Sequence, residues 1–143
     1  MVSQHRKHRG YKTQRNVSSY FKEQGWHNAY SIGAGAQGSD IQGVPFDVEV
    51  KARKNLDLAG TLKQIKTRAK GLGFAVARLN GQGDDASQYV AFMTLETLVS
   101  ILKQAGWDKV PINNPEPIRC TKCGAWMIQG LECSVCRHTN SDA

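Results

Sequence analysis

Apolar and polar positions along the chain change period several times, and each change marks an element. Val17, Tyr20, Phe21 and Gln24 fall at i, i+3, i+4 and i+7, which predicts a helix over 12–24, and Gly25 follows as its stop. Trp26 to Ile32 alternates with period two and predicts a strand. A glycine-rich loop over 33–38 lacks the Gly-Lys-Ser/Thr ending of a phosphate-binding loop. Ile41 to Lys51 predicts a second strand or a hairpin, with Gly43 and Pro45 near its turn. Asp57 to Leu72 predicts a helix with Leu58, Leu62, Ile65, Ala69 and Leu72 inward and Lys63, Lys66, Arg68 and Lys70 opposite. Strands are predicted over 74–79 and 88–94, joined by the turn 80–85. A last helix runs over 95–105, with Thr94 as its cap and Leu95, Leu98, Ile101, Leu102 and Ala105 inward. The order α-β-β-α-β-β-α predicts an α/β fold, a mixed β-sheet flanked by helices.

The ends of the chain differ from this body. Residues 1–9 read as a basic arm without apolar pattern, ahead of a main domain over 10–109. Three of the four prolines lie in 110–118, a stretch that cannot sustain helix or sheet and reads as a linker. Beyond it, a module over 119–143 holds all four cysteines. Cys120 and Cys123 form one Cys-x-x-Cys pair, and Cys133 and Cys136 form the second. Two such pairs suit one tetrahedral Zn²⁺, and four thiolates leave no open position for chemistry, so a structural zinc ribbon is expected. Two disulfides would need an oxidising compartment. His138 reads as a surface residue, since four thiols already complete the set.

Charge sharpens the picture. The 143 residues carry a net charge of +7, distributed unevenly. Residues 1–27 hold six Lys/Arg and one acid, and residues 61–78 hold five and none, while 28–60 between them hold three and four. Two basic segments around a slightly acidic one suit a protein that grips phosphates on both sides of an acidic centre. No apolar run approaches the roughly 18 residues of a membrane span, and the polar, basic start lacks the apolar stretch of an export signal. No membrane partner and a cytoplasmic location are therefore expected.

The acidic centre contains the candidate chemistry. Glu49 and Lys51, two apart in a predicted strand, share one face, and Val48 and Val50 point to the other. Asp40 lies nine residues before Glu49, and a hairpin or bent strand brings it back beside that carboxylate. Two converging carboxylates suit a hard divalent cation such as Mg²⁺, which would polarise a phosphate and acidify a bound water. Lys51 is placed to orient or deprotonate that water, or to neutralise the transition state. Asp47 shares the face and could compete as a ligand, or stand as a solvent-facing or supporting group. Arg6, Lys7, Arg9, Lys12 and Arg15 are candidate DNA contacts from the arm and first helix, with Arg53, Lys54 and Lys66 from beyond the strand.

Asp40 followed by Glu49-Val50-Lys51, after a glycine-rich loop, resembles the PD-(D/E)xK nuclease motif. Gly10-Tyr-Lys-Thr-Gln14-Arg15 opening a helix, and Gly25-Trp26 closing it, make the chain similar to archaeal-type and small phage Holliday junction resolvases over about residues 9–105. The resemblance implies a restriction-endonuclease-like core. It implies Mg²⁺ or Mn²⁺ held by Asp40, Glu49 and the Val50 backbone carbonyl, Lys51 as the base or water-orienting group, and Gln64 as a polar helper on the following helix. The family's first-helix glutamate position holds Gln14, and the family's proline before the aspartate is Ser39.

The leading expectation is a metal-dependent endonuclease that cuts branched DNA, foremost four-way junctions, as a homodimer whose two-fold axis matches the two sites to be cut. A flap, single-strand or repair endonuclease on the same core is the alternative within the class. A non-enzymatic DNA-binding adaptor working through the zinc ribbon is the alternative outside it.

Overall fold

The computed structural model describes residues 2–33, 36–110 and 117–140, with the side chains of residues 2, 3 and 6 outside that set. The chain forms two compact units, Met1–Thr97 and Leu98–Ala143. The proline-rich stretch read as a linker lies mostly outside the described residues.

The first unit opens with α1 (Val2–Glu23), so the basic residues read as an arm belong to the helix that follows them. Its buried stripe is Thr13, Gln14, Val17, Ser18 and Phe21, more polar than the predicted face, and Gln24 is exposed. Two of these polar groups are satisfied within the helix, since Thr13 Oγ1 donates to the Arg9 carbonyl and Ser18 Oγ to that of Arg15. Gly25, at φ 114°, ends the helix: its N–H donates to the Lys22 carbonyl and that of Trp26 to the Phe21 carbonyl. The Trp26 ring then packs edge-on against Phe21 and Phe46.

The predicted strand over 26–32 is reduced to β1 (Tyr30–Ser31), because Ala29 N–H turns back to the Trp26 carbonyl. β1 pairs antiparallel with β2 (Ile41–Gln42). Gly43 stands at φ 74°, where a Cβ would lie 1.9 Å from the Asn28 carbonyl oxygen, so only glycine fits that close approach. A three-stranded sheet runs in the order β3 (Asp47–Lys51), β4 (Gly73–Ala77), β5 (Val90–Phe92). β3 and β4 are parallel, joined over α2 (Leu58–Arg68), and β5 is antiparallel to β4. Asp57 caps α2 by accepting from the Gly60 N–H at 2.9 Å. The core joins Val17 and Phe21 of α1 to Ile41, Val48, Val50 and Val76. Alternation along β3 turns its acidic side chains to the other face, where Arg68 of α2 meets them.

α3 (Leu95–Gln104) spans the division between the units. The expected inward set is corrected here: no α3 residue is buried, and Leu95, Leu98 and Leu102 are all exposed. An amphipathic period specifies an apolar face but not a partner to cover it.

In the second unit β6 (Pro117–Arg119) pairs antiparallel with β7 (Trp126–Ile128). Cys120, Met127 and Cys133 form its small core. Among the described residues no helix is long and apolar enough to cross a membrane.

Candidate functional site

β3 lies at an edge of its sheet, and side chains complete its outer side. Ser39 Oγ accepts from the Val48 N–H at 2.9 Å, and Asp40 Oδ2 accepts from the Val50 N–H at 2.7 Å. The Asp40 N–H in turn donates to the Val48 carbonyl at 2.9 Å. This lattice seats Asp40 beside Glu49. Burial raises the Asp40 carboxyl above its ordinary 3.8; the Val50 N–H pulls it back and the Glu49 charge adds to the rise.

Glu49 is buried and has a cation on each oxygen. Lys51 Nζ stands 2.5 Å from Oε1, and Arg68 Nη1 stands 3.0 Å from Oε2. Arg68 also donates from Nε to both oxygens of Asp47, from Nη2 to Asp47 Oδ1, and from Nη1 to the Gly38 carbonyl. The hydrogen bonds it donates to Asp47, and then to Glu49, drive the guanidinium further up from its already high value, against the opposing effect of burial. Asp47 is thus bound to Arg68, in keeping with a supporting place. Arg68 itself was assigned to the solvent-facing side of its helix. The signal for its real position was Thr61, Ile65 and Arg68 at i, i+4 and i+7, the face that the helix buries.

Gln14 is the second residue whose placement carries information. It is 8% exposed, and its Oε1 is buried with no hydrogen-bond partner among the described residues. A buried acceptor without a donor is costly unless a ligand completes it. Gln14 lines a cleft of about 1030 Å³ together with Asp40, Glu49, Val50 and Lys51. The walls of the cleft carry Lys7 and Arg9 from α1 and Arg53 and Lys54 from the segment after β3. His5 lies on the same wall. A smaller cleft of about 660 Å³ reaches the acid pair from the α2 side, lined by Lys63, Gln64, Thr67 and Arg68. Gln64 and Lys51 also share a third hollow.

On the cleft wall Arg9 also reaches the Leu79 carbonyl at 3.2 Å and Asn80 Oδ1 at 3.4 Å. The other basic candidates are dispersed. Lys12 Nζ is 2.8 Å from Asp84 Oδ2, so its charge is met at the surface, and its hydrogen bond holds Asp84 below the ordinary carboxylate range. Arg15 and Lys66 are exposed and line none of these clefts. The Arg6 side chain lies outside the described residues.

Asp40, Glu49 and Gln14 bring oxygen atoms to one cleft, the kind of donor a hard cation takes; among the described residues Asp40 Oδ1 makes no hydrogen bond and Gln14 Oε1 has no donor.

A second centre lies in the cysteine unit. The four sulfurs lie within 4.8 Å of one another, with Cys120 to Cys136 at 3.5 Å and Cys123 to Cys133 at 3.6 Å. Those separations are too long for disulfides and close to the roughly 3.8 Å edge of a tetrahedron with 2.3 Å zinc–sulfur bonds. The two pairs sit in matching turns. Gly124 N–H donates to the Cys120 carbonyl and Arg137 N–H to the Cys133 carbonyl, with left-handed φ of 73° at Gly124 and 58° at Arg137. Burial raises the Cys120 thiol, but backbone N–H groups of Cys123 and Lys122 outweigh it and bring it down to about 6. Four cysteines in this arrangement can hold a structural metal such as zinc. His138 Nε2 lies 3.0 Å from Thr121 Oγ1, outside the sulfur cluster. The Arg119 guanidinium lies 3.9 Å from the ring centre of the exposed Trp126.

Comparison with family models, with curated proteins and with solved structures gives no match to this chain.

Proposed function

We propose that the first unit is a metal-dependent DNA endonuclease of the PD-(D/E)xK kind, acting on branched DNA and foremost on four-way junctions, as a homodimer. One observation carries the reading: Asp40, Glu49, the donorless Gln14 Oε1 and Lys51 line a single cleft between basic walls. Asp40 and Glu49 would hold Mg²⁺ or Mn²⁺, with the Val50 carbonyl and Gln14 as further oxygen donors. Such an ion would polarise a phosphate and lower the pKa of a water molecule. Lys51 is placed to orient an attacking water and to offset charge gathering on the phosphate. Lys7, Arg53 and Lys54 hold flanking phosphates, and Gln64 supports the acid pair from α2. A zinc ion in the tetrathiolate site closes the second unit.

The test is cleavage of labelled four-way junction, flap and linear duplex DNA by zinc-loaded protein, with Mg²⁺ and with EDTA, for wild type and Glu49→Gln. Paired symmetric nicks in the junction, lost with EDTA and in the variant while binding persists, support the resolvase reading. Cutting of flaps or single strands instead retains the nuclease and discards the junction. Binding without cutting, equal in both proteins, moves the function to a DNA-binding adaptor.

A further inference from the structure

Glu49 has one fixed oxygen and one exchangeable oxygen. Oε2 accepts from Arg68, whose guanidinium is itself held by both oxygens of Asp47 and by the Gly38 carbonyl at 2.7 Å. Oε1 accepts from Lys51 alone among the described residues, and Lys51 Nζ has no other partner among them. A guanidinium presents its donors in a rigid planar fork, whereas a lysine ammonium is a point charge on a flexible stem. Arg68 therefore stays when the site changes state, and Lys51 can leave.

The same fork ties together parts that are far apart in sequence. Asp47 and Glu49 belong to β3, Arg68 ends α2, and Gly38 stands two residues before Asp40. One side chain thus fixes the rotamer of one acid and the loop that carries the other.

We infer that Arg68 is the positioning residue of the acid pair: it locks Glu49 Oε2, so that Oε1 is the oxygen offered to a divalent cation, with Lys51 as the group that moves aside. The inference rests on the metal-dependent reading above and adds a residue to it. It leaves Glu49 Oε1 as the oxygen that would be offered, and Lys51 as the group that would give way and turn to phosphate or water. Positioning of this kind is worth about 10- to 100-fold in metal affinity or turnover.

The experiment uses the full zinc-loaded chain. It compares wild type, Arg68→Lys and Asp47→Asn for Mn²⁺ affinity by calorimetry and for kcat and KM on whichever DNA the wild type cuts. Arg68→Lys keeps the charge and loses the fork. The expected result is a drop of about tenfold or more in kcat at saturating Mn²⁺ with KM within about threefold, and weaker Mn²⁺ binding. Asp47→Asn, which loosens Arg68 without touching it, shifts the same quantities by less. Wild-type kcat and Mn²⁺ affinity in Arg68→Lys would overturn the inference, because charge alone would then suffice. A raised KM with unchanged kcat also overturns it, making Arg68 a DNA contact. If Arg68→Lys fails to fold, Asp47→Asn decides by the same two readings. If wild type binds Mn²⁺ but cuts nothing, the nuclease reading falls, and the Mn²⁺ affinities still judge Arg68. If wild type binds no Mn²⁺ in the cleft, both readings fall.

Discussion

Lys51 Nζ stands 2.5 Å from Glu49 Oε1, two residues along the same strand. On the proposed reading the lysine occupies the position that a divalent ion would need, so the two cations would compete for one oxygen. Lys51→Gln would then remove the competitor and the proposed catalytic ammonium together. The variant is expected to bind Mn²⁺ at least as tightly as wild type by calorimetry, while cleavage falls by about 100-fold or more in single-turnover assays. A joint loss of metal binding and cleavage would count against this placement of Lys51.

Glu49→Gln acts in the opposite sense. It leaves Lys51 without its anion and takes one anion from Arg68, in a side chain only 7% accessible. Removing one member of a buried ion pair destabilises, here by about 2 kcal/mol because Arg68 keeps Asp47. Urea unfolding should show that loss, and metal binding and cleavage should vanish with it.

Asp40 gives a pH dependence whose sign is fixed by its surroundings. Burial raises its folded-state value above the ordinary 3.8, so the folded protein binds this proton more tightly than the unfolded chain. The stability from this group is complete below 3.8 and is lost as pH rises through the raised value. Asp40→Asn keeps an acceptor for the Val50 N–H and carries no charge. Without divalent ions it should melt at a higher temperature than wild type near neutral pH, the difference closing as pH falls toward 3.8. Added Mg²⁺ should stabilise wild type and leave the variant unmoved.

Among its described residues the cysteine unit has little core besides its sulfurs, so a metal held by them would carry much of its fold. Cys133→Ser should collapse the amide resonances of residues 117–140 into the random-coil region. Those of the Met1–Thr97 unit should stay dispersed. Retention of the 117–140 dispersion would show that the metal does not hold this unit together.

Arg137 takes a left-handed turn that Gly124 takes in the matching pair, at φ 58° against 73°. A side chain in that region costs about 1 kcal/mol relative to glycine. Arg137→Gly should tighten the unit by about that amount, read as slower zinc loss to a chelator. Gly124→Ala should speed that loss.

The parts of the site that follow from period-two alternation were legible in the sequence. Asp47, Glu49 and Lys51 had to share a face once β3 was a strand, and the two cysteine pairs announced their cluster by spacing. Arg68 was not legible, because a helical wheel drawn through leucines places it among the solvent-facing lysines. Its partners are 19 and 21 residues away and lie on another element. The buried stripe of α1 was partly hidden for a related reason, since Thr13 and Ser18 bond to their own helix and so can enter the core. Gln14 could be noted as a glutamate position filled by an amide, but its donorless oxygen is a property of packing. α3 failed in the other direction: its leucines marked an apolar face, and the described chain leaves that face exposed.

The outer side of β3 has a further consequence. An uncapped edge strand offers its N–H and C=O groups as a template on which another chain can add a strand. Here Ser39 and Asp40 occupy the N–H groups of Val48 and Val50, so the edge is closed by two side chains. The carboxylate proposed as a metal ligand thus also covers an edge on which another chain could add a strand. Even without any chemistry the chain would have reason to keep an acceptor at position 40, and alanine there would expose that edge.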